Sequence, residues 1–244
     1  MAEMLEARGL RMVYQEGKQE VVAVRGADIR FRRGEIIGLF GPSGSGKTTL
    51  LSLLGCILKP SAGSLRLFGN DVAAMSEKDL PTVRKRFISF IFQGFNLFPA
   101  LSVLDNVLLG LRIKGITGEE AERRALRVLK EVGLSERIDF LPRDLSGGQK
   151  QRVAVARALA SDCPLILADE PTGNLDHANG RNVMEILRKL AHEKGKCVVV
   201  ATHDNRIDDI FDRILFMEDG SIIKETTDTS KLRLMRELTT SSVK

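Results

Sequence analysis

The sequence predicts an α/β protein in which a buried, mostly parallel sheet carries helices on its faces. Three observations predict it. Four short apolar runs, at 36–40, 87–92, 165–169 and 197–202, have the length of strands buried on both faces. Helical patterns separate them, as in strand–helix–strand units. Each run also leads directly into polar or glycine chemistry (Gly41, Gln93, Glu170, His203), and the carboxyl edge of such a sheet is where ligands gather.

The elements follow in order. Residues 20–31 alternate loosely (Val22, Val24, Ala27, Ile29, Phe31) around Gly26, as expected of antiparallel strands near an edge. Residues 35–40 form the first buried strand. After a glycine-rich turn a helix is expected over 47–58, ended by Pro60 and Gly63. The strand at 87–92 is next, and from 93 to 145 the texture changes to helix and loop. Ser102 with Asp105 forms a capping box that opens a helix to Ile113. Thr117 opens another, 119–132, with Ala121, Ala125, Val128, Leu129 and Val132 on one face. This block reads as a helical lobe inserted into the sheet. A helix over 149–160, the strands 165–169 and 197–202, and a hairpin at 212–223 turning at Gly220 complete the fold. The tail, 225–244, is polar. One domain is expected over 1–244, with its core at about 1–93 and 150–224 and the lobe at 94–149.

At 244 residues the chain has room for one well-buried core with a lobe attached. No run reaches about 18 apolar residues, so no transmembrane helix is expected. Residues 1–10 are acidic and lack the apolar segment of a secretory signal. Cys56, Cys163 and Cys197 are scattered in apolar contexts, which fits reduced core thiols of a cytoplasmic protein rather than disulfides or a metal site. The net charge of +5 is mild and reads as a solvated surface.

Gly41-Pro42-Ser43-Gly44-Ser45-Gly46-Lys47-Thr48 matches the phosphate-binding P-loop, G-x-x-x-x-G-K-[ST], and sits between a strand and a helix as that motif requires. The glycines let the backbone curl so that its N–H groups point at phosphates. Lys47 supplies a compact positive charge for the β- and γ-phosphates of ATP, and the Thr48 hydroxyl is a hard ligand for Mg²⁺; Thr49 follows at the start of the helix. Asp169 ends a buried strand, where a carboxylate holds magnesium through water in nucleoside triphosphatases. Glu170 comes one residue on, where the chain leaves the sheet. It reads as the general base for an attacking water. Ser146-Gly147-Gly148-Gln149 supplies a hydroxyl and two bare glycine N–H groups at a helix start, chemistry suited to an anion.

Leu145-Ser146-Gly147-Gly148-Gln149 before Leu165-Ile166-Leu167-Ala168-Asp169-Glu170 resembles the signature and Walker B strand of ATP-binding-cassette (ABC) ATPases. The resemblance runs from Leu5 to about Ile223, with the motifs in the family's order. It implies a P-loop nucleoside triphosphatase (RecA-like) mixed sheet with an antiparallel β subdomain and an inserted helical lobe. It further implies that Gln93 is the Q-loop glutamine, touching metal and lobe, and that His203 is the switch histidine at the γ-phosphate. Asp176 matches the D-loop between protomers, its other reading being a helix N-cap, and Tyr14 falls where the family stacks an aromatic on adenine, the competing reading being a packed or half-exposed strand aromatic. Lys47, Gln93, Glu170 and His203 then form the catalytic set, and Thr48, Gln93 and Asp169 the metal set. The signature Ser146–Gln149 acts in trans, on ATP held by a second copy of the chain.

Segments 41–47, 92–99 and 171–176 are similar to the macrolide-exporter, lipoprotein-releasing and cell-division branch. Residues 202–207 with 217–220 are closer to the heterocyst glycolipid exporter cassette. The implied protein is a homodimeric ATPase subunit, peripheral on the cytoplasmic face of the inner membrane. It would drive integral membrane permease subunits, in some systems with a membrane-fusion adaptor. Two alternatives keep the ATPase: a mechanical signalling cassette of the cell-division type, and a soluble one acting on nucleic acid. The second lacks the coiled-coil insertion or second cassette it would need, so no specific nucleic acid is expected. Phe95, Leu97, Phe98 and Leu101 are either the permease contact or lobe core.

Overall fold

The computed structural model describes residues 3–17 and 19–227, so the polar tail expected from 225 lies beyond the described residues after 227. The chain opens with a long antiparallel hairpin, β1 (Glu3–Glu16) and β2 (Gln19–Arg32). Only the second strand is legible as expected, because β1 slips register between Ala7 and Leu10 and so breaks its two-residue alternation. Next come β3 (Ile36–Phe40), buried at every position, and α1 (Lys47–Leu54). The helix stops at Gly55, four residues earlier than Pro60 and Gly63 suggested. A side chain at Gly55 would collide with the Phe90 ring, so close packing against the sheet ends the helix there.

Strands β4 (Ala62–Leu67) and β5 (Asn70–Asp71) join the first sheet in the order β2-β1-β4-β5. Helix α2 (Leu80–Phe87) runs directly into β6 (Ile88–Ile91), so Phe87 is helical rather than the first residue of the strand. Then follow α3 (Val103–Ile113), α4 (Gly118–Glu131), α5 (Gly147–Ala160), β7 (Leu165–Asp169), α6 (His177–His192), β8 (Cys197–Thr202), β9 (Arg213–Glu218) and β10 (Ser221–Thr226). The second sheet has the order β10-β9-β3-β8-β7-β6, parallel except for β10. The mixed sheet and separate antiparallel sheet are those expected. β9 and β10 meet at Asp219 and Gly220, both at positive φ, the two-residue turn whose twist suits a hairpin.

Two apolar cores flank the parallel sheet. One lies between the sheets around α1, with Leu10, Phe31, Leu50, Leu54 and Val199. The other is continuous from the opposite face of the sheet into the helical lobe, through Phe40, Val107, Leu129, Val153 and Leu187. The lobe therefore shares its core with the sheet. Ser102 caps α3 as expected, accepting from the Asp105 N–H at 3.0 Å. Thr117 occupies the cap position of α4, but its side chain makes no capping bond. The three cysteines are free and buried; burial pushes the Cys56 thiol up to about 11 and raises that of Cys197 further. Among the described residues no helix is long and apolar enough to cross a membrane.

Asn106, fully buried in α3, fixes the loop entering the lobe. Its amide donates to the carbonyls of Phe98, Leu101 and Ser102, and its Oδ1 accepts from the Phe98 N–H at 2.8 Å. Asn106→Ala leaves these groups unpaired. It is expected to cost about 2 kcal/mol, a fall in Tm of roughly 4–8 °C, measurable by calorimetry on the full chain.

Candidate functional site

The sheet brings four strand ends to one edge. The P-loop, 41–48, leaves β3 at that edge and enters α1. It is pressed between both sheets: a side chain at Gly41 would collide with the Met217 carbonyl of β9, and one at Gly46 with the Ala23 carbonyl of β2. Gly46 also has φ near 98°, a conformation that favours glycine. The Gly220 N–H donates to the Ser45 carbonyl at 3.0 Å and the Arg25 N–H donates to the Gly220 carbonyl at 2.8 Å. The hairpin turn therefore ties the P-loop to the antiparallel sheet.

Lys47 is buried and folds back over its own loop, with Nζ donating to the carbonyls of Gly41 and Pro42 at 2.8 and 2.9 Å. Burial lowers its pKa, and the nearby charges of Glu170 and Asp169 oppose that shift. Asp169, at the end of β7, is shifted the other way. Desolvation raises its pKa, a hydrogen bond from Thr48 and the charge of Lys47 pull it down, and Glu170 raises it. The two directions agree: both groups sit in a poorly solvated spot where each favours the other's charge.

Glu170 follows with its backbone in the left-handed region at φ 46°, pinned as its N–H donates to the Ala201 carbonyl of β8 at 2.9 Å. That bend turns the carboxylate away from the sheet. Its Oε1 pairs with His203 Nδ1 at 2.8 Å, and its Oε2 accepts from the Thr202 hydroxyl at 3.3 Å. The His203 ring is two-thirds exposed. Gln93 is exposed just past β6, and the Asn174 amide donates to its carbonyl at 2.9 Å.

These groups bound a cleft of about 1100 Å³. Pro42, Ser43, Gly44, Gly46, Lys47, Thr48, Thr49, Gln93, Glu170 and His203 line it, as expected of a common site. Gly41 and Ser45 stand behind the loop as packing contacts, and Asp169 lies beneath it. Tyr14 is half-buried on β1 opposite Val21; Val21 lines the cleft and Tyr14 does not. The sequence reading missed Ala23, Arg25 and Asp219 as parts of the cleft. Only the Asp-Gly turn had a local signal, and its docking had none.

Ser146–Gln149 do not line the cleft of their own chain. They start α5 with a complete capping box: the Gln149 N–H donates to Ser146 Oγ, and the Ser146 N–H donates to Gln149 Oε1. Gly147 lies close against the Asn174 carbonyl, and a side chain at Gly148 would collide with that of Asn179. Asp176 caps α6, accepting from the Asn179 N–H at 2.9 Å. Signature and D-loop thus form one packed unit.

A glycine-rich strand–loop–helix, an acidic pair at the end of β7 and a separate Ser-Gly-Gly helix start together describe a known cassette. The "ABC transporter" family pattern matches residues 24–173. The chain belongs to the ABC transporter family. It is 45% identical over 222 residues to an ABC transporter ATP-binding protein of Thermotoga maritima, covering 91% of this chain and 94% of that one. It is 40% identical to the lipoprotein-releasing system ATP-binding protein LolD of Chromohalobacter salexigens over 222 residues, covering 91% and 94%. It is also 41% identical to the macrolide export ATP-binding/permease protein MacB 1 of Aeromonas hydrophila, covering 91% of this chain and 34% of that longer protein. Among solved structures it resembles the dimeric, post-hydrolysis form of the cassette MJ0796 of Methanocaldococcus jannaschii bound to ADP and Pi. The TM-score is 0.86 at 39% identity, over 92% of this chain and 98% of that one. This ABC cassette is an ATPase of the macrolide-export and lipoprotein-release branch.

Gly46→Ala is expected to weaken ATP binding at least tenfold, because the loop must move off the Ala23 carbonyl and surrender its positive φ. Isothermal titration with ATP reads the loss; wild-type affinity would show that the loop has room to spare.

Proposed function

We propose that this cassette hydrolyses Mg²⁺-ATP in a two-fold pair and drives export through separate membrane subunits. The observation that carries the reading is the separation of Ser146–Gln149 from the cleft that holds Lys47. The first-turn N–H groups of Gly147 and Gly148 have no partner within their helix, so they and the Ser146 hydroxyl are free to meet the γ-phosphate of a second copy. A symmetric pair then contains two composite sites. The dimeric form of the similar cassette supports this arrangement.

Within one site the P-loop amides and Lys47 take the β- and γ-phosphates, Lys47 exchanging its bonds to Gly41 and Pro42 for bonds to phosphate. Thr48 and Asp169 fit Mg²⁺: both are hard oxygen donors, the Thr48 hydroxyl is near enough to lower the Asp169 pKa, and Asp169 Oδ1 is buried with no hydrogen-bond partner. Gln93, which lines the same cleft as Thr48, would complete that set. Bound there, the ion neutralises charge on the β- and γ-phosphate oxygens. Glu170 accepts a proton from the attacking water, while Thr202 and His203 hold its carboxylate in place. His203 also reaches the γ-phosphate. Adenine lies against the antiparallel sheet beside Val21 and Ala23, with Tyr14 next to Val21 as its cross-strand partner on β1.

The names of LolD and MacB support export or extraction of lipids, lipoproteins, peptides or drugs over import. The apolar cluster after Gln93 is part core and part surface. Leu97 packs into the core, whereas Phe98 is half exposed and borders, with exposed Ile113, a groove of about 410 Å³. That groove is the proposed seat of the membrane subunit, which would keep the cassette on the cytoplasmic face of the membrane.

Glu170→Gln is expected to reduce turnover at least a hundredfold with ATP affinity within twofold of wild type; near-normal hydrolysis would remove Glu170 from the base role. Ser146→Arg is expected to spare nucleotide binding by the single chain and to abolish ATP-driven pairing. Sedimentation with and without ATP separates those outcomes, and pairing at the wild-type level would count against a site shared between chains.

A further inference from the structure

Arg157 lies in the last turn of α5, half-buried and without a carboxylate partner among the described residues. Its guanidinium serves backbone instead: Nη1 donates to the Asn96 carbonyl at 2.6 Å and Nη2 to the Phe95 carbonyl at 3.0 Å. Both receiving residues are strained, with φ of 62° at Phe95 and 47° at Asn96. Two consecutive left-handed residues bearing side chains persist only where their surroundings hold them. The planar fork of an arginine matches two adjacent carbonyls in a way that the point charge of a lysine does not. Space for the fork is provided on α3, where a side chain at Gly110 would press on the Arg157 stem.

The clasped bend is tied to Gln93. The Phe95 N–H donates to the Phe92 carbonyl at 3.1 Å, closing a turn whose second residue is Gln93. On the other side, the Asn174 amide holds the Gln93 carbonyl. Gln93 therefore sits between an anchor on the D-loop and an anchor on α5. The same α5 begins with Gly147 and Gly148, and Arg157 follows ten residues on, about 15 Å along one rigid helix.

We infer that Arg157 is a positioning residue that sets the backbone of Gln93 and so couples the placement of the signature end of α5 to the hydrolytic site of its own chain. The inference rests on the role of Gln93 proposed above. It accounts for a cation at a site with no acid: the guanidinium holds a strained loop in register with a helix whose far end makes another contact.

The test is a double-mutant cycle on the full-length chain, measuring kcat and KM for Mg²⁺-ATP together with thermal unfolding. Arg157→Met is expected to lower kcat about tenfold with KM within twofold, and Arg157→Lys to recover part of the loss through a single carbonyl bond. In a Gln93→Ala background, Arg157→Met should lower kcat no further. Independent losses that multiply in the double variant, or a KM that rises as kcat falls, would overturn the inference. Should Arg157→Met fail to unfold cooperatively, Arg157→Lys is read through the same cycle with the same criteria. Wild-type turnover in Gln93→Ala alone would instead sink the role of Gln93, an outcome the Arg157 variants cannot mimic.

Discussion

The cleft depends on one steric constraint, the seating of the P-loop between two sheets. Gly41 lies against the Met217 carbonyl and Gly46 against that of Ala23, with no space for a Cβ at either. This close approach aligns the loop with the parallel sheet through β9 and with the antiparallel sheet through β2. The Asp219–Gly220 turn then bonds to both the loop and Arg25. One face of the cleft comes from the phosphate loop, one from the antiparallel sheet and one from the strand ends carrying Gln93, Glu170 and His203. None of the three is placed unless the loop backbone fits its slot.

Electrostatics adds to that geometry. Lys47 and Asp169 are both poorly solvated, and burial moves each toward neutrality: the lysine pKa falls and the aspartate pKa rises. Their mutual attraction, with Thr48 donating to Asp169, opposes the change. Glu170 is handled differently, held from two sides by His203 and Thr202 on a backbone bent out of the sheet. The site therefore keeps one carboxylate low against the phosphate loop and turns its neighbour toward the cleft. A single left-handed residue is enough to separate the two.

Much of this was legible in the sequence where the signal is local. Buried strands show as unbroken apolar runs, the P-loop as a fixed spacing, and the Ser102 cap as a residue pair three apart; the Ser146–Gln149 box has the same spacing, but the helix was expected only from 149 and that cap went unread. β1 was obscured because its register slips spoil the alternation that marks a strand. α6 was announced only by Asp176 as a candidate N-cap, and its extent was not read although Val183, Met184, Leu187, Leu190 and Ala191 fall on one face; its first turn, His-Ala-Asn-Gly, has little helix preference of its own. The end of α1 at Gly55 and the clasp of Arg157 on Phe95 and Asn96 depend on partners distant in sequence. Such contacts leave no periodicity to read. Tyr14 shows another limit: motif position points to stacking on adenine, while the cleft lining beside it comes from its cross-strand neighbour Val21, a pairing with no local signal.

The order of the parallel sheet also has a meaning in time. β3 lies between β8 and β9, so its hydrogen-bonding partners are made more than 150 residues after it. At ordinary synthesis rates both edges of that fully apolar strand stay unpaired for roughly ten to thirty seconds. The phosphate loop leaves the ribosome early, but the turn that closes over it comes almost last. A chain interrupted before residue 213 would present a sticky open edge and half a cleft, which makes the final hairpin the step that converts a vulnerable nascent chain into a nucleotide-binding one.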